Sequence, residues 1–114
     1  MKLGYEIDRL IAEKVMGWTS DGYLYHDMIT GDMCSINEFR PSEDLEDAWL
    51  IVEKISYGNT ELIFDLELRY KGFWAYFTDG KSDDYSSEQE KTAPLAICVA
   101  ALKATGVNIE EEVI

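Results

Sequence analysis

Positive charge is scarce in this chain. Ten Lys and Arg face 23 Asp and Glu across 114 residues, a formal charge of -13. General affinity for nucleic acid comes from cations meeting phosphates, so a field of this sign excludes it, and it excludes anionic membranes likewise. Histidine is nearly missing, with His26 alone, and the two cysteines, Cys34 and Cys98, lie far apart without a CxxC spacing. That set is too small and too dispersed for a structural zinc site, and it suits two reduced thiols better than a disulfide. P-loop, GxGxxG and paired-carboxylate arrangements are also missing, and no cofactor is expected. No apolar run approaches the roughly 20 residues of a membrane-spanning helix. Met1-Lys2-Leu3-Gly4 leads into an amphipathic pattern rather than a signal peptide, so a cytoplasmic protein is expected. With no repeat and no linker, residues 1–114 are expected to form one domain.

What is present is a packed core. Hydrophobic residues make up 46% of the chain and aromatics 12%, which excludes disorder. The stretch from Thr92 to Gly106 (TAPLAICVAALKATG) carries no charge between Ala93 and Leu102. Thr92 suits an N-cap, Pro94 is harmless in a first turn, and Gly106 supplies a left-handed residue past the end. A helix apolar on nearly every side must be buried on most sides.

Leu3, Ile7, Leu10, Ile11 and Val15 make one stripe on a first helix over 3–16, with Asp8, Glu13 and Lys14 off the stripe. Gly17 ends it, and Trp18 is placed to fold back over the last turn. Asp21-Gly22 and Thr30-Gly31-Asp32 are turn signals around a short hairpin, Tyr23 to His26 and Met33 to Ile36. Ser42 reads as the N-cap of a second helix, in which Leu45, Ala48, Trp49, Val52 and Ile55 repeat at three- and four-residue intervals before Gly58-Asn59. Glu61 to Leu68 then alternates with period two, Tyr70-Lys71-Gly72 turns, and Phe73 to Thr78 returns. Leu62, Phe64, Leu66, Leu68, Phe73, Ala75 and Phe77 share one face, while Ile63, Trp74 and Tyr76 lie on the other. Apolar residues on both faces predict a sheet covered on both sides. Residues 79–90 read as an acidic loop and 107–114 as an acidic tail. The expected fold is α+β, in the order α-β-β-α-β-β-α, an antiparallel sheet sandwiched between helix layers.

Ala12-Glu13-Lys14-Val15-Met16-Gly17-Trp18, then Pro41-Ser42-Glu43-Asp44 leading to Ala48-Trp49 and Val52-Glu53-Lys54, then Phe73 to Phe77 (FWAYF), then Thr92 to Cys98 (TAPLAIC) occur in an order that resembles the phage ABA sandwich domain family over nearly the whole chain. The resemblance implies a helix–sheet–helix sandwich and a phage protein made in the cytoplasm of an infected or lysogenic bacterium. It transfers no catalytic residue.

Candidate chemistry is sparse. His26 and Cys34 could form a nucleophile–base pair, but no third group orients them. Asp79, Lys81, Asp83 and Glu90 approach a calcium-loop spacing, yet Lys81 places a cation where a ligand belongs and Asp84 stands at the glycine position. Aromatic rings with nearby cations are the better signal: Trp74 and Tyr76 for stacking, Arg40 and Arg69 for bidentate contacts to phosphate or carboxylate. Lys91 and Thr92 add an anion site at the start of the last helix. Together these predict an anti-defence accessory protein that sequesters a small nucleotide-derived immune signal without cleaving it, as a homo-oligomer with interface pockets. The alternative is an acidic inhibitor that mimics nucleic acid on a host defence protein. A hydrolase is the weakest reading, since no general base can be named.

Overall fold

The computed structural model describes residues 2–58, 62–79, 84–87 and 89–107. Helix α1 (Lys2–Leu10) continues as a π-helical turn (Ile11–Val15), followed by β1 (Thr19–Ser20), β2 (Leu24–His26), β3 (Met33–Ser35) and α2 (Leu45–Tyr57). Then come β4 (Ile63–Arg69), β5 (Gly72–Thr78), β6 (Asp84–Ser86) and α3 (Ala93–Ala104). The class is α+β as expected, in the order α-β-β-β-α-β-β-β-α. Each expected hairpin gains a short third strand, giving two antiparallel sheets, β1-β2-β3 and β4-β5-β6.

Helix α3 lies in the middle, touching α1, the π-helical turn and α2 as well as β5 and β6. Every residue from Ala96 to Leu102 is buried, as a helix without a polar face requires. The Thr92 hydroxyl accepts the Leu95 N–H at 3.3 Å. At the other end Gly106 takes a φ of 82°, and the Gly106 and Val107 N–H groups return to the carbonyls of Lys103 and Leu102. Both ends match the sequence signals. Among the described residues no helix is long and apolar enough to cross a membrane.

Strands β4 and β5 pair from Ile63↔Thr78 to Arg69↔Gly72. Ala75 and Phe77 are fully buried against α3, and Phe64 packs under Trp49 of α2. The expected cover on the opposite face is only partial. Ile63 is 62% exposed there, and the rings of Trp74 and Tyr76 lie beneath the guanidinium of Arg69. Strand β6 replaces part of the expected loop. Buried Ser87 explains it: its N–H donates to the Ala75 carbonyl and its Oγ accepts the Ala75 N–H, both at 2.9 Å. Gly72 permits the neighbouring bridge between Phe73 and Glu90, because a Cβ there would stand 2.5 Å from the Glu90 oxygen. The four positions of the calcium-like spacing include Lys81 and Asp83, which lie outside the described residues, as do Asn59, Glu61 and residues 108–114.

The first half holds two corrections, both at one place. Asp8, expected off the apolar stripe, is 2% exposed. It accepts from Arg40 Nε at 2.5 Å and from the Ser42 N–H at 2.7 Å. Ser42 therefore cannot cap α2; its hydroxyl donates to the Gly4 carbonyl instead, at 3.4 Å. Asp44 is the cap, accepting from the N–H groups of Glu46 and Asp47 at 2.8 and 3.2 Å. A carboxylate does this as well as a hydroxyl and adds charge at the positive end of the helix dipole.

In the first sheet Asp21 organises the turn. Its Oδ1 accepts from the Tyr23 and Leu24 N–H groups, each at 2.8 Å, and its Oδ2 meets His26 Nε2 at 2.9 Å. The His26 contact first, then the two backbone donors, bring the Asp21 carboxyl from 3.8 down to about 2. A depressed carboxyl favours the fold above its unfolded pKa, and the contribution is lost as pH falls from near 3.8 through about 2. A carbon-detected NMR titration should place Asp21 at about 2. In His26→Ala the midpoint should rise, yet stay below the ordinary carboxyl range because both backbone donors remain; an unchanged midpoint would remove His26 as the leading cause.

Removing Asp8 leaves Arg40 short of its buried partner and the Ser42 N–H without an acceptor. Asp8→Ala should cost about 3 kcal/mol in urea unfolding. The apolar pair Asp8→Leu with Arg40→Met should cost less than Asp8→Ala, since no uncompensated charge is left inside.

Candidate functional site

The six residues nominated from sequence fall into three places. Arg69, Trp74 and Tyr76 do meet. The pairing of Glu67 with Trp74 and of Asp65 with Tyr76 puts these side chains on one face of adjacent strands. The Arg69 guanidinium lies 4.8 Å from the Trp74 ring centre and 5.8 Å from that of Tyr76. Its Nε donates to Glu67 at 2.6 Å and its terminal nitrogen to the Tyr76 hydroxyl, which in turn donates to Glu67 at 3.3 Å. Burial is the first cause raising the Tyr76 phenol above its ordinary pKa. Trp74 Nε1 is shielded from solvent and, among the described residues, has no hydrogen-bond partner. This is a stacked surface cluster whose cation is matched by its own carboxylate.

Arg40 is committed elsewhere. Besides Asp8 it reaches Glu43 at 3.2 Å and lies 4.0 Å over the Tyr5 ring, and its bond to Asp8 raises its pKa further. Lys91 is exposed where the chain leaves the Phe73–Glu90 bridge, and Thr92 serves as the helix cap.

Sequence reasoning missed the concavity beside Arg40. A cavity of about 360 Å³ opens between α1 and the first sheet, lined by Tyr5, Glu6, Asp8, Arg9, Ser20, Gly22, Tyr25 and Ile36. Helix α1 supplies Tyr5 and Arg9 one turn apart, both exposed, and the sheet supplies Tyr25, which is buried. Burial, then the nearby Asp8 and Glu13 charges, raise the Tyr25 phenol, so it stays a neutral donor. The volume suits a small organic ligand. An exposed ring, a guanidinium and carboxylates are groups that stack on a planar base, pair with an anion and accept from hydroxyl or amino donors. One signal existed in sequence: a Tyr and an Arg four residues apart beside an acid that proves to be buried.

His26 and Cys34 do not form a reactive pair. Cys34 stands opposite Tyr25 in the sheet and His26 opposite Met33, so the two point to different faces. The Cys34 thiol donates to the Ser35 carbonyl at 3.6 Å, and burial, then Glu38 and Asp47, raise its pKa, the opposite of activation. Cys98 is raised well above its ordinary value by burial in α3. Among the described residues no three His, Cys, Asp or Glu side chains come together in a way that could hold a metal ion.

No curated protein matches the sequence. In the solved structures the fold is similar to that of a phage protein from Bacillus cereus ATCC 14579, with a TM-score of 0.68 and 23% identity over 95% of this chain and 91% of that one. At that identity the likeness shows the fold alone. Residues 9–102 match the phage ABA sandwich domain, a span that runs from the end of α1 to the end of the α3 core. The chain belongs to the phage ABA sandwich domain family.

Proposed function

We propose that this phage-encoded protein is an anti-defence accessory factor that holds a small nucleotide-derived immune signal without cleaving it, in the cavity between α1 and the first sheet. The observation that carries the reading is the meeting of Tyr5, Arg9 and two carboxylates around about 360 Å³. A base stacks on Tyr5, whose ring is steadied from behind by Arg40. A phosphate pairs with Arg9, which has no carboxylate partner among the described ion pairs. Ribose hydroxyls or base amino groups donate to Glu6 and to the free lone pairs of Asp8.

A second reading draws on the charge of -13. An acidic surface of that strength also suits an inhibitor that occupies a nucleic-acid-binding site on a host protein. Salt-sensitive co-purification with a host nuclease, with no small molecule retained, would favour it.

The test is a thermal-shift panel of cyclic nucleotides and ADP-ribose derivatives, followed by heat release of any bound molecule. A sequestering protein returns the intact compound, whereas a cleaved product overturns the reading in favour of an enzyme. Arg9→Ala and Tyr5→Ala should each weaken binding about tenfold or more, by the usual size of a charge-assisted hydrogen bond or a stacked ring. If Arg69→Ala or Trp74→Ala abolishes binding instead, the ligand sits on the outer face of the second sheet. No shift with any compound counts against signal binding altogether.

A further inference from the structure

Strand β4 is the open edge of the second sheet, bonded among the described residues only to β5. Which of its groups are open follows from β5. The backbone groups of Phe73 bond to Glu90, and the Ala75 carbonyl accepts from Ser87. Both residues therefore face the β6 side, which leaves Gly72, Trp74, Tyr76 and Thr78 to bond β4 through Arg69, Glu67, Asp65 and Ile63. The N–H and C=O groups of Phe64, Leu66 and Leu68 point out of the sheet edge. A seven-residue strand without proline or lysine is a ready template for another strand.

The surface around that edge is apolar. Leu68 is 74% exposed and Tyr70, at the turn, 93%. Above the edge, Leu45, Glu46, Trp49, Leu66 and Ile97 line a groove of about 400 Å³ between α2 and the sheet. Leu45, Trp49, Leu66, Leu68 and Tyr70 are all exposed around this edge, apolar surface from both copies toward the roughly 1,000 Å² that a specific interface needs.

We propose that the occupant of this edge is a second copy of the same chain, with β4 pairing antiparallel to β4 about a twofold axis at Glu67. The strand's own charge order selects this partner and this register. With Glu67 on the axis, Asp65 of one copy faces Arg69 of the other, twice. Leu66 faces Leu68, also twice, and exposed Tyr70 reaches the Phe64–Trp49 end. The outward amides of Leu66 and Leu68 then exchange hydrogen bonds across the axis, while Glu67 meets Glu67 at a non-bonded pair, each carboxylate already held by its own Arg69. Moving the axis to Leu66 would instead set Asp65 against Glu67 twice and leave no opposite-charge pair, against two Asp65–Arg69 pairs and one Glu67 contact here. Antiparallel pairing keeps α2 and α3 of both copies on one side, so the two Leu45–Trp49 grooves close on each other. The two Arg69–Trp74–Tyr76 clusters become neighbours on the other side.

Sedimentation velocity and site-directed cross-linking test this directly. Wild type should sediment as a dimer at micromolar concentration. Mild oxidation of Glu67→Cys in a Cys34→Ser background should give a disulfide-linked dimer, since non-bonded antiparallel pairs bring the two Cβ atoms close. Asp65→Cys in the same background should not cross-link. Asp65→Arg should weaken the dimer about tenfold, and Asp65→Arg with Arg69→Asp should restore it. A monomeric wild type overturns the proposal. A dimer that ignores these charge changes, or that cross-links at 65 and not at 67, overturns it equally. Ligand binding by Tyr5 and Arg9 is read separately, so either result can fail without the other.

Discussion

The buried carboxylate of Asp8 is the constraint on which the first half of the fold depends. A charge that is 2% exposed must be matched, and its partners come from more than thirty residues downstream. Arg40 supplies a guanidinium nitrogen and Ser42 a backbone N–H, so α1 is fixed to the approach of α2 by directional bonds rather than by apolar contact alone. The same segment is tied again where the Arg40 N–H donates to Asp47 of α2 at 2.9 Å. Gly4 lies against the same pair, and a Cβ there would meet the Arg40 and Ser42 side chains at ordinary contact distances of 3.5 and 3.6 Å. One ion thus ties α1 to the segment that enters α2 and forms part of the wall of the cavity between α1 and the first sheet.

The π-helical turn after α1 serves the same arrangement. Met16 donates to Ile11 at 3.0 Å and Trp18 to Ala12 at 2.9 Å, which widens the helix end. Gly17, at a φ of 76°, then reverses the chain. The Trp18 ring meets Phe39 edge-on at 4.8 Å and Tyr25 at 6.0 Å. Phe39 immediately precedes Arg40, so the aromatic cluster and the ion pair brace neighbouring residues of one strand of chain. Short strands of two and three residues hold together here because rings and an ion anchor them, not through sheet length.

Sequence periodicity reported what local physics controls. Helix α3, the α2 stripe, the β4–β5 hairpin and the glycines at 17 and 106 were legible because apolar spacing and left-handed backbone leave marks in the residues themselves. The α+β class and the family resemblance followed from the same marks. What stayed hidden depends on distant partners. Asp8 looks like any helical surface acid until Arg40 and Ser42 arrive, and that arrival is what moves the α2 cap from Ser42 to Asp44. Strand β6 carries one large apolar residue, Tyr85, and exists because β5 has an edge to offer. The candidate site divided in the same way. Arg69, Trp74 and Tyr76 were legible as a group because strand alternation fixes faces, whereas the cavity at Tyr5 and Arg9 needs two elements brought together by a buried ion.

The composition of α3 explains why two sheets and three helices can share so small a core. Ala96, Ala100 and Ala101 are all fully buried, and each presents a single methyl to its neighbours. Small side chains let α2 and the sheet pack against α3 with little bulk between them. On the sheet side β5 answers with Ala75, and the bulk needed to fill the interior is supplied by Phe77, Ile97 and Leu102. A helix with larger residues at those alanine positions would hold α2 and β5 apart, and the Phe64–Trp49 contact that closes the far end of the core would open. The apolar circumference of α3 is thus only half of its role. Its small side chains leave room for the elements around it, among them α2, whose Leu45 and Trp49 line the groove beside Leu66 of β4.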